Sequence, residues 1–151
     1  KPIGLVVENY SQIDEAVRGL VRIGYDKVEA FLAGGLHAWE TSGRHYAKVE
    51  AVHVADLERK LEEGDSFTLL DVRSKEEFES AHLRKAVQLY LGELPQKLEQ
   101  IPKDKPVVTF CESGQRAMVA ASFLRRQGID SVADCLGSLA ACKSIGCQAL
   151  E

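Results

Sequence analysis

Six consecutive residues, Cys111-Glu112-Ser113-Gly114-Gln115-Arg116, place a thiol, a glycine and an arginine in one short stretch between an apolar run and a helical pattern. A cysteine at the end of a strand, followed by a loop that opens a helix, sits where backbone N–H groups converge and where the helix N-terminus adds positive potential. Both favour thiolate over thiol, and the thiolate is the nucleophile. Gly114 permits the positive φ or close backbone approach that a ring of amides needs, and Arg116 can set a fixed charge beside a bound anion. The same N–H groups can stabilise a negative terminal sulfur or an oxyanion. A lone cysteine after a strand is ordinarily a small buried hydrophobe. The strand end, the C-x-x-G-x-R spacing and the helix start together favour nucleophilic chemistry at Cys111.

The elements that must hold this loop follow from the pattern around it. Val107-Val108-Thr109-Phe110 is a short apolar run behind Pro106, a buried parallel strand by composition and length, and Phe67–Val72 is a second. A weaker strand covers 131–135. Helical spacing runs through Val54, Leu57 and Leu61 to a stop at Gly64, and through 116–127 to a stop at Gly128, with a short helix at 93–100 between them. Ser74 can cap a helix whose first turn carries Glu76 and Glu77. Strands alternating with helices predict an α/β fold with a mostly parallel central sheet flanked by helices. In such sheets ligands sit beyond the carboxyl ends of the strands. Asp71-Val72-Arg73, after the neighbouring strand, ends there too.

The chain also repeats itself. Lys1-Pro2-Ile3 matches Lys105-Pro106-Val107, and Gly24, Asp26 and Val28 match Gly128, Asp130 and Val132 at the same offset; after a slip of one residue Gly34, Leu36 and Gly43 match Gly137, Leu139 and Gly146. Residues 1–44 are therefore expected to be the C-terminal half of a unit and 45–151 a complete one. The half-unit should read strand 3–7, helix 13–23, strand 27–31 and short helix 34–39, with Val7 standing where Cys111 stands in the whole unit. Its uncovered edges and apolar faces predict contact with the complete domain, with another copy or with a domain ahead of Lys1. The chain is expected to be part of a longer protein.

Composition narrows the function. Apolar residues at 45% and charged residues at 28% fit a globular domain with an ample core, and the net charge of -4 without a basic stripe argues against nucleic acid. No apolar run approaches membrane-spanning length, and reading the four cysteines as reduced carries the expectation of a cytoplasmic location. Cys111, Cys135, Cys142 and Cys147 contain no C-x-x-C pair, so no metal site is expected, and all four are read as reduced thiols. Cys135 reads as core, Cys142 and Cys147 as unpaired thiols with a sulfur relay or a disulfide as the alternatives, His82 as a hydrogen-bonding loop residue, Trp39 as core and 58–63 as a solvated helix face.

Taken in order, Leu70-Asp71-Val72-Arg73, Glu76-Glu77-Phe78, His82, Cys111-x-x-Gly114-x-Arg116, Gly128 and Leu136-Gly137 resemble the signature of rhodanese domains over about a hundred residues. The resemblance implies a rhodanese-like fold and a sulfurtransferase, of the thiosulfate:cyanide kind, in which Cys111 takes a sulfane sulfur as a persulfide and passes it to a thiol or another nucleophile. Glu112 through Arg116 would cradle that persulfide, and Asp71 and Arg73 would be supporting polar groups near the pocket floor. The partners would be a small-molecule sulfur donor and a thiol acceptor, and no cofactor would be required. Leu32–Trp39 resembles the family's closing motif. Tandem units with one cysteine-less copy resemble the tail of proteins that join a metallo-β-lactamase-like domain to rhodanese domains. A non-catalytic interaction module is the alternative. Where the family often has Gly-His-Ile-Pro-Gly-Ala, this chain has Ala81-His82-Leu83-Arg84-Lys85-Ala86, and Cys142 stands at the family's tryptophan. Glu112 next to the nucleophile opposes thiolate and anionic donors, offset in part by Arg116. The six-residue loop suits a sulfur atom, whereas related phosphatases use a longer one.

Overall fold

Asp71 and Phe110 face each other across two neighbouring parallel strands, so the segments that follow them emerge side by side. This arrangement belongs to the second of two units into which the computed structural model, describing residues 1–151, divides: Lys1–Ala47 and Lys48–Glu151. The divide lies at 47/48, against the expected 44/45.

In the second unit five strands form one sheet: β3 (Glu50–His53), β4 (Thr68–Asp71), β5 (Val87–Gln88), β6 (Val107–Phe110) and β7 (Val132–Leu136), in the order β3-β7-β6-β4-β5. Every pairing is parallel. All residues of β4 and β6 are buried. Their unbroken apolar character follows from helices covering both faces, because a parallel strand returns through a crossover. One face packs Leu70, Val107 and Val132 against Ala117, Ala121 and Leu124 of α5 (Gln115–Arg126), and Cys111 lies in this cluster. The other packs Leu69, Val108, Phe110 and Cys135 against Leu57 and Leu61 of α3 (Val54–Glu63) and Leu139 of α6 (Ser138–Ile145).

The helix expected over 93–100 is instead two 3₁₀ segments, Leu91–Gln96 and Leu98–Gln100. Pro95 lies inside the first and has no N–H to give, so an α-helical ladder cannot run through it. α4 (Lys75–Ser80) begins with the capping box that Ser74 announced: Ser74 Oγ accepts from the Glu77 amide, and Glu77 Oε2 accepts from the Ser74 amide. Lys85 adopts a φ of 64° in the loop that departs from the family pattern.

The first unit contains β1 (Ile3–Leu5), α1 (Gln12–Arg22), β2 (Val28–Phe31) and α2 (Gly35–Thr41), with β1 and β2 paired in parallel. Its element order, β-α-β-α, is that of β6 through α6. Gly35 is the one buried residue in this unit. No helix of the chain is long and apolar enough to cross a membrane.

The expectation of four reduced cysteines is overturned. Cys142 and Cys147 form a disulfide, with Cα atoms 5.1 Å apart. Five residues apart on a continuous helix, they would point in different directions. Gly146 ends α6 with a φ of 71°, and the turn brings Cys147 back until its amide donates to Cys142 O at 3.0 Å. Cys111 and Cys135 are free and buried.

Candidate active site

The loop after β6 is built around one sulfur atom. Gly114 N–H donates to Cys111 Sγ at 3.1 Å, and Ala117 N–H, from the first turn of α5, donates at 3.4 Å. Gly114 holds a φ of 95° and caps α5; a Cβ here would meet Gly137 N at 3.3 Å. The sulfur thus lies at the positive end of a helix, on amides aimed at it. Cys111 is fully buried, at 0% exposure.

A second helix start holds the loop from behind. Leu139 N–H donates to Cys111 O at 3.1 Å and Ala140 N–H to Glu112 O at 2.8 Å. Ser138 Oγ accepts from the Cys111 amide at 3.1 Å and donates to Cys135 O at 2.9 Å. Ser138 does this from a φ of 45°, in the left-handed region. Sequence reasoning missed Ala117, Ser138, Leu139 and Ala140. A signal existed: Gly137-Ser138 aligns with Gly34-Gly35 of the repeat, so a serine occupies a glycine position next to the cysteine loop.

Arg116 departs from its expected role. Its guanidinium holds Glu77 of α4 through two contacts, Nη1 to Oε2 at 2.8 Å and Nη2 to Oε1 at 2.6 Å. A two-pronged carboxylate is a better partner for a planar fork than open solvent. Hydrogen bonding from Arg116 pushes the Glu77 carboxyl down to about 2, and the Arg116 guanidinium is held charged chiefly by the same bonds. The arginine therefore enters the site as one half of a neutral pair.

Asp71 and Arg73 form a second pair, fully buried. Arg73 Nε donates to Asp71 Oδ1 at 2.9 Å, its Nη2 to Oδ2 at 2.6 Å, and its amide to Oδ1 at 3.0 Å. Arg73 Nη2 also reaches Ala81 O at 2.7 Å, and Gln88 Nε2 donates to Arg73 O at 2.8 Å. These bonds tie the end of β4 to α4 and β5. Arg73 Nη1 lies 3.7 Å from Glu112 Oε2, and Lys143 Nζ of α6 lies 3.9 Å from Glu112 Oε1. The charge of Glu112 is thus answered by Arg73 and Lys143, not by Arg116 as expected. The side chains of Ser113 and Gln115 make no hydrogen bond within the loop; Gly114 is the one residue of the expected cradle whose amide reaches the sulfur.

The family model of the Rhodanese-like domain matches residues 53–144. The chain belongs to the rhodanese-like family. A Bacillus subtilis protein that carries the provisional name of sulfurtransferase YtwF is 34% identical over 85 residues, which is 56% of this chain and 82% of that protein. A sulfurtransferase of Allochromatium vinosum is 30% identical over 93 residues, covering 62% of this chain and 87% of the relative. Among solved structures, a rhodanese-related protein from Thermoplasma volcanium superposes with a TM-score of 0.59 at 25% identity, over 64% of this chain and 93% of that one. A sulfurtransferase role is therefore supported by family and relatives alike.

The remaining candidates serve the rhodanese fold. Burial pushes the Cys135 thiol up to about 12, which makes it inert at neutral pH. His82 stacks on Phe78 with ring centroids 4.1 Å apart, and its Nδ1 lies 3.0 Å from Phe78 O.

Proposed function

We propose that the protein is a persulfide carrier, moving a sulfane sulfur from a donor to an acceptor through Cys111. The observation that carries this reading is the pair of amide donors, from Gly114 and Ala117, aimed at Cys111 Sγ at the N-terminus of α5. Cys111 thiolate attacks the outer sulfur of the donor, the donor's S–S bond breaks, and the donor leaves as a thiolate or sulfite. An acceptor thiolate, or cyanide or sulfite, then attacks the outer sulfur of Cys111–S–S⁻ and restores the thiolate. Two half-reactions through a covalent intermediate predict ping-pong kinetics. In this reading the loop amides stabilise the charge of the terminal sulfur, Asp71 and Arg73 hold the loop's floor, and no metal or organic cofactor takes part. The carrier reading needs Cys111 as a free thiol, and the disulfide involves Cys142 and Cys147 alone. The repeat and the shared β-α-β-α order support reading residues 1–47 as a partial copy that lacks the cysteine.

Intact mass after incubation with a sulfur donor tests the proposal. Wild type should gain one sulfur atom, cyanide should remove it, and Cys111→Ala should gain none. A wild type that gains nothing from thiosulfate or from glutathione persulfide, although its Cys111 reacts with a thiol reagent after unfolding, would identify an interaction module instead.

A further inference from the structure

The charges around Cys111 are matched one against another. Arg116 is held by Glu77 through two short contacts, and Arg73 by Asp71 with Glu112 at its remaining nitrogen. Lys143 faces Glu112 across the loop. Each of these three cations has a carboxylate partner, and the carboxylate directly after the nucleophile, Glu112, is 44% exposed. An approaching anion therefore meets amide dipoles but no uncompensated positive charge, and the carboxylate one residue from the nucleophile, Glu112, is held only by the longer contacts of Arg73 and Lys143, at 3.7 and 3.9 Å. Repulsion by such a carboxylate grows with the charge of the donor. Thiosulfate is a dianion; an alkyl persulfide carries at most one negative charge on its sulfurs.

Resting on the carrier reading above, we infer that the site takes its sulfur from a low-molecular-weight alkyl persulfide in preference to thiosulfate, and that Glu112 and Lys143 set the preference. In the loading step Cys111–S⁻ attacks the outer sulfur of R–S–SH. The Cys111 S–S bond forms, the donor's own S–S bond breaks, the proton stays on the transferred sulfur, and R–S⁻ leaves. The corresponding step with thiosulfate expels sulfite, also a dianion, past the same carboxylate.

The test compares kcat/KM for sulfur loading with thiosulfate and with cysteine persulfide, in wild type, Glu112→Gln and Lys143→Gln. The intrinsic reactivities of the two donors, and any change in thiolate fraction, cancel when the ratio is compared between variants. Glu112→Gln should raise the thiosulfate-to-persulfide ratio by about tenfold, and Lys143→Gln, which removes the exposed cation, should lower it by about threefold. Added salt should narrow both differences. If both donors load Cys111 but neither substitution moves the ratio by as much as twofold, the inference is overturned and the carrier reading stands. If neither donor loads wild type, both fall.

Discussion

Asp134 shows how one side chain can oppose the fold that contains it. It sits on β7 beside Thr109, at 2% exposure, and its Oδ1 has no hydrogen-bond partner. The hydroxyl of its register partner is spent elsewhere, since Thr109 Oγ1 donates to Ala133 O. Burial pushes the Asp134 carboxyl up from 3.8 to about 6. A folded-state value above the unfolded one means that the neutral acid is the form the fold accepts. The cost of ionisation is absent below 3.8, grows as the pH rises, and is fully present above 6. Asp134→Asn should therefore stabilise the protein at pH 8 by on the order of 2 kcal/mol and leave it nearly unchanged at pH 4. Urea unfolding at the two pH values checks this, and an equal effect at both would refute it. Glu77 titrates in the opposite sense: held down to about 2 by Arg116, it contributes stability above 4.5 that is lost as the pH falls toward 2.

At the scale of elements, the site depends on two helix starts: α5 supplies the amides that face the sulfur, and α6 fixes the carbonyls behind it. Ser138 joins them, because its hydroxyl is the acceptor for the Cys111 amide. Ser138→Ala leaves that amide buried without a partner, which should cost about 1–3 kcal/mol. Ser138→Gly loses the same bond but relieves a positive φ, so it should cost less than alanine. Denaturant midpoints of the two variants decide the order, and alanine more stable than glycine would contradict it. The first helix start was legible in the sequence and the second was not. C-x-x-G-x-R after an apolar run is a local pattern, complete within six residues, and strands β4 and β6 and helix α3 announced themselves by apolar runs and periodicity. The grip of α6 is a contact between residues 27 apart in the chain, and the pairing of Arg116 with Glu77 spans 39. Neither has a periodicity to betray it. The same holds for β3 and β5, short edge strands whose apolar content is too small to stand out. The disulfide was an alternative that the spacing of Cys142 and Cys147 could not favour, because the turn at Gly146 is what brings the sulfurs together.

The two units differ in what they can hold together alone. The second has apolar clusters on both faces of its sheet, built from residues between Val54 and Ala149. The first has a two-stranded sheet, no buried side chain, and exposed Val6, Tyr10, Val21, Ile23, Tyr25, Phe31 and Leu36. Two strands without a buried face do not offset the conformational entropy of ordering some forty residues, which costs on the order of 1 kcal/mol or more per residue. In the second unit β6 is flanked by β7 and β4, whereas β1 has β2 alone beside it in its sheet. Residues 48–151 should therefore unfold cooperatively when expressed alone and load sulfur on Cys111 at the rate of the longer chain, since every contact to the cysteine loop described above comes from within that unit. Residues 1–47 alone should give no cooperative transition. Thermal unfolding by circular dichroism, with mass measurement of sulfur loading on the 48–151 fragment, tests both halves of the expectation. A fragment 48–151 that melts without cooperativity or loads sulfur many times more slowly would mean that the cysteine loop draws support from residues 1–47. A cooperative transition in 1–47 would mean that this unit finds a core of its own, by self-association or otherwise, and the concentration dependence of its midpoint would then tell the two apart.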